Sequence, residues 1–135
     1  MRLCHLLIIN VLTFCIDIAS AQSPPIGQWR EHLPYSSAFQ VVEGNEKIWC
    51  ATPFNVFSID KAENSIDRWS KVNGLSETGI ASIAWNAANQ ALIIAYTNSN
   101  IDLLSNGNVS TLSAIKNSTQ AGNKYIYRIY SKDNL

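Results

Sequence analysis

The fold turns on two stretches read together: "SAFQVVEGNEKIWCAT" (Ser37–Thr52) and "ASIAWNAANQALIIAYT" (Ala81–Thr97). Each is an apolar run, a polar turn and a second apolar run, with no helical period. Placed 44 residues apart, Ala51 falls on Ala95, Ile48 on Leu92, Trp49 on Ile93 and Cys50 on Ile94. At the same offset Phe39 falls on Ile83 and Asn45 on Asn89, between matching runs. One inserted residue later, Val56 meets Ile101 at 45. Segments that match over this distance, turns included, are copies of one unit.

Working outward, each unit reads as strand, turn, buried strand, link, strand, hairpin, strand. The first unit has Ala38–Val42, Lys47–Thr52, Asn55–Asp60 and Ile66–Lys71. The second has Ile80–Trp85, Ala91–Thr97, Ile101–Ser105 and Asn108–Ile115, with Asn106-Gly107 as a type I′ hairpin turn. A third copy begins at Tyr125–Tyr130, where Ile126-x-x-Ile129 repeats the spacing of Ile80-x-x-Ile83. Four strands in about 44 residues is the length of one blade of a β-propeller. The expected fold is therefore all-β: an incomplete β-propeller of about two four-stranded blades plus the first strand of a third. Rings close with about four or more blades, so the chain is expected to be a fragment, with uncovered blade faces that favour association.

Residues 1–21 read as a cleaved secretory signal: Arg2, an apolar stretch from Leu6 to Ile18, then Ala19-Ser20-Ala21. Residues 22–135 are then the propeller part, about 114 residues, long enough for one small core. They contain one cysteine, Cys50, so no internal disulfide is available. Ten Lys and Arg balance ten Asp and Glu, without a basic stripe, so nucleic acid is not an expected partner.

The chain contains several patterns that mimic sites. Gly74-Leu75-Ser76 begins like a nucleophile elbow, but Gly79 comes too late for G-x-S-x-G, and the run from Ile80 is strand-like where the elbow needs a helix. Ser76 is accordingly read as part of a turn between blades. Cys50 and His32 could form a thiol dyad, but Cys50 occupies the repeat position of Ile94 and reads as a core residue. Asp60, Glu63, Asn64 and Asp67 cluster at a turn without the alternating calcium-loop spacing. Trp29, Trp49, Trp69 and Trp85 suit packing between blades better than a sugar platform. Asn108-Val109-Ser110 and Asn117-Ser118-Thr119 match the glycosylation pattern, as chance allows in a chain rich in Asn, Ser and Thr. No catalytic residue, metal site or cofactor is expected.

"NGLSETGIASIAWNAANQALIIAYTNSNIDLL" (Asn73–Leu104) resembles the repeat of two-component-regulator-type propellers. Within that superfamily, "GQWREHLPYSSAFQVVEGNEKIWCATPFNVFSID" (Gly27–Asp60) is similar to the start of the PorZ family. The carrying residues are Gly27, Trp29 and His32, and the strand pair Ile94–Leu103. The resemblance implies a non-enzymatic, exported component of the type IX (Por) secretion system of Bacteroidota. Such a component scaffolds protein partners, a sortase-like protease among them, at the outer-membrane surface. It also implies lipopolysaccharide handling, through regions this chain lacks. The alternative is the periplasmic ligand-sensing propeller of a hybrid two-component regulator.

Overall fold

The computed structural model describes residues 32–132. The expected signal segment and the Gly27–Trp29 motif lie outside the described residues. The eight strands, in chain order, are β1 (Gln40–Gly44), β2 (Lys47–Ala51), β3 (Val56–Asp60), β4 (Ile66–Trp69), β5 (Ile80–Asn86), β6 (Ala91–Tyr96), β7 (Ile101–Ser105) and β8 (Asn108–Leu112). They form two four-stranded antiparallel meanders, β1-β2-β3-β4 and β5-β6-β7-β8. Both blades expected from the repeat are present. A single 3-10 turn, Lys71–Asn73, lies between them.

Turn chemistry sets the registers. Asn45 and Glu46 both have positive φ, 53° and 57°, and close the two-residue turn from β1 to β2. Asn106 and Gly107, at 50° and 77°, do the same for β7 and β8, as their residue types predict. Between β5 and β6 the turn is longer, with Asn86 pairing across to Ala91. The extra length corrects the repeat alignment of the first strands. Val41 pairs with Cys50 and Ile83 with Ile94, so Val41, not Phe39, is the counterpart of Ile83. Because side chains alternate with a period of two, a two-residue shift leaves every side chain on its expected face.

The core is the layer between the blades. Trp49, Ala51 and Val56 from the first blade meet Ile83, Leu92, Ile94, Tyr96 and Leu104 from the second, with Leu75 and Ile80 sealing the end. A fully buried Leu or Ile stabilises by about 1.5–3 kcal/mol, so this one layer is the main source of cohesion between the sheets. It also explains why matched positions differ in polarity. Strand β3 buries Val56 and Ser58, whereas β7 buries Asp102 and Leu104, the opposite parity. The shared layer lies on opposite faces of the two repeats.

At the axial edge, Gln40 bridges the blades. Its Nε2 donates to the Ile83 carbonyl at 2.7 Å, while its Oε1 accepts from Ile83 N at 3.0 Å and from Ser82 Oγ at 3.1 Å. The same link recurs one unit later, where Ile129 N donates to Ser82 Oγ at 3.2 Å. Gln40 and Ser82 are counterparts by strand register, since they pair with Ala51 and Ala95. Ile129 therefore stands to the second blade as Ile83 stands to the first, in agreement with the spacing of the third copy. The expected strand over Tyr125–Tyr130 is nonetheless not formed. A strand needs a neighbour for its ladder, and among the described residues none lies beside it.

The faces away from the shared layer expose Val41 (59%), Ile66 (50%) and Leu112 (50%). Apolar surface of this kind favours association. The isolated chain is expected to elute as oligomers or aggregates in size-exclusion chromatography, and a cooperative monomeric melt would contradict this.

Candidate functional site

The seam between the blades contains Ser76, and the structure shows what its hydroxyl does. Ser70 caps the 3-10 turn, and the Asn73 side chain accepts from Ser70 N at 2.5 Å, which orients the chain leaving β4. Leu75 then enters the core and Ser76 lies over β7. Ser76 N donates to Asp102 Oδ2 at 2.8 Å, and Ser76 Oγ donates to Asp102 Oδ1 at 2.7 Å. Tyr96 Oη donates to Oδ2 at 2.6 Å and Thr111 Oγ1 to Oδ1 at 2.8 Å. Asp102 is fully buried, and its carboxylate is satisfied by these donors from three segments. Burial, assisted by hydrogen bonding to Asp102, pushes the Tyr96 phenol above its ordinary range and keeps it a neutral donor.

This cluster is a hydrogen-bonded clasp that ties the seam to β6, β7 and β8. The Ser76 proton points at a carboxylate already committed to other donors, and Asn100 Nδ2 donates to Ser76 Oγ at 3.0 Å. The described histidine, His32, is exposed and forms no part of the cluster. A nucleophilic serine needs a base that takes its proton, and that base in turn needs an orienting group. The late Gly79 has its own duty. Its φ is 79°, its carbonyl accepts from Thr97 N at 2.9 Å, and an added Cβ would lie 2.9 Å from Thr97 Oγ1.

Sequence reasoning missed the clasp residues as a set. Asn55 and Asn100 are buried at matching repeat positions, and each sends its amide to the segment that precedes its blade. Asn55 Nδ2 reaches the Pro34 carbonyl at 3.5 Å, and Asn100 Nδ2 reaches Ser76. An asparagine repeated 45 residues apart is a readable signal. Asp102 carries another: a carboxylate inside an apolar strand demands partners.

The other candidate residues are engaged as follows. Asp60 Oδ1 accepts from Ala62 N at 2.9 Å and Glu63 N at 3.1 Å, and these amides hold its carboxyl below the usual range. Asp67 pairs with Lys47 at 2.6 Å. Of the oxygens considered for calcium, that of Asp60 thus closes a turn and that of Asp67 an ion pair, and no group of three or more His, Cys, Asp or Glu that could hold a metal occurs among the described residues. Trp49 lies 5.1 Å from Trp69 and 6.2 Å from Trp85, centroid to centroid, so these rings pack the seam between blades. Trp29 lies outside the described residues. Asn108 and Asn117 are exposed.

Cys50 is buried, and burial pushes its thiol up. In a chain beginning at Gln22, iodoacetamide should label it slowly when native and rapidly in urea, because the thiolate is the reactive form. Rapid native labelling would contradict core packing.

Repeated four-stranded meanders, packed face to face about a shared axial edge, define the class: this is part of a β-propeller. The chain belongs to the family of PorZ N-terminal β-propeller domains of the type IX secretion system, whose match spans residues 48–135. A solved PorZ structure from Porphyromonas gingivalis is similar, with 27% identity and a TM-score of 0.64 over 69% of this chain. That PorZ is described as an essential bacterial surface component of the type IX secretion system. The present chain spans 13% of its length. No curated protein matches the chain.

Proposed function

We propose that the chain is the opening part of a non-catalytic propeller in an exported type IX secretion component that scaffolds protein partners at the outer-membrane surface. The family match over residues 48–135 carries this reading. The polar clusters support it, since Ser76, Asp102, Asn55 and Asn100 spend their hydrogen bonds within and between blades. Residues 1–21 act as the export signal in this reading. The partners are proteins of the attachment complex, with a sortase-like protease among them, and any lipopolysaccharide engages other parts of the whole protein.

Deletion of the gene that carries the chain should leave type IX cargo unprocessed or unattached, as read by immunoblotting of cell-surface and medium fractions. Normal cargo maturation in the deletion strain would overturn the proposal.

A further inference from the structure

Where β1, β5 and residues 128–131 fan apart at the axial edge, they leave a groove of about 310 Å³. This is the low end of the roughly 300–1,000 Å³ typical of small-molecule sites. Val42 and Ile129 give it aliphatic walls and Trp85 a ring, the Tyr130 ring borders it from a largely exposed position, and Ile83 lies fully buried beneath. The Gln40 amide at its floor is spent on Ile83 and Ser82, so it offers little to a ligand.

The charge of the groove is one-sided. Arg128 is its charged residue, and no carboxylate lines it. Lys47, Lys61, Lys71 and Lys116 are each paired with an acid, and Arg68 lies over the Tyr35 ring. Arg128 has no ion pair among the described residues; its Nη1 donates to Tyr130 Oη at 3.2 Å, which holds the guanidinium at the groove. A guanidinium fork binds carboxylate with two parallel hydrogen bonds, and the flat rings beside it favour a flat or apolar ligand face.

We propose that this groove binds a small molecule in which a carboxylate is attached to a six-membered ring, with the acid on Arg128 and the ring against Trp85, Tyr130 and the aliphatic walls. Aromatic acids and uronic sugars share this chemistry. The inference stands on the groove alone and does not require the secretion reading.

The test is calorimetric titration of the full-length protein with benzoate and glucuronate, against benzamide and glucose as their uncharged counterparts, at constant ionic strength. At least one acid should bind about tenfold more tightly than its neutral counterpart, the difference expected of one charge-assisted contact. Arg128→Gln should abolish that preference, while Arg128→Lys should retain part of it; Arg128 is exposed, so both variants should fold. Binding of benzoate alone marks an aromatic ligand, and binding of glucuronate alone a sugar. Failure of both acids to bind, equal binding of the neutral compounds, or a preference that survives Arg128→Gln would overturn the proposal.

Discussion

Replacing Asp102 with alanine in the full-length protein should lower the stability of this domain by about 4 kcal/mol in urea unfolding. The substitution strands Ser76 N, Ser76 Oγ, Tyr96 Oη and Thr111 Oγ1 in or near a buried site, all of which now donate to one carboxylate. Hydrogen bonds to a charged group each contribute about 1.5–3 kcal/mol net, and an unsatisfied buried donor costs about 1–3 kcal/mol. Their sum is an overestimate, because water enters part of the vacated space and Thr111 lies near the surface. Asp102→Asn should cost less, about 2 kcal/mol, since it keeps the shape and one acceptor oxygen. If Asp102→Ala unfolded at the wild-type urea midpoint, the clasp would have no structural role. Hydrogen exchange should locate the loss at β7, β8 and the Leu75–Ser76 segment.

Gly44→Val should cost about 3 kcal/mol, and Gly44→Ala somewhat less. A Cβ at Gly44 would lie 2.1 Å from Trp85 Cδ2 and 2.2 Å from Trp85 Cγ. Those atoms belong to the fixed part of an indole that also stacks on Trp49, whose Nε1 donates to the Gly44 carbonyl at 3.1 Å. The ring cannot swing aside without unpacking the seam, and overpacking of this kind costs about 1–3 kcal/mol or more. The double variant Gly44→Ala, Trp85→Leu should recover part of the loss, because the smaller side chain vacates the contested volume. No recovery would mean that the glycine is required for its backbone and not for the close approach.

Much of the fold is legible in the sequence. Alternation and turn chemistry place all eight strands, since both are properties of neighbouring residues. Repetition then identifies the blade, because copies of one unit must pack alike. The exceptions have physical causes. The repeat sets Phe39 against Ile83 because the turn before Ala91 hides two additional residues, and length differences in a turn leave no mark in an apolar pattern. Tyr125–Tyr130 has the composition of a strand but has no ladder partner among the described residues.

The site is legible only in fragments. Ser76 stands out through a resemblance to a catalytic turn, whereas its partner Asp102 lies 26 residues away and passes as one member of a family signature. What the sequence alone determined was the unit: four strands, their turns and the alternation of their faces. Only the tertiary structure decided which face of each blade meets the other, that Trp85 presses on Gly44, and that Asp102 gathers donors from three segments. The first kind of information is periodic and local, so it survives in one dimension. The second depends on how two sheets stack across the seam, and a buried carboxylate or a missing Cβ acquires meaning only when its distant partner has been brought within contact distance.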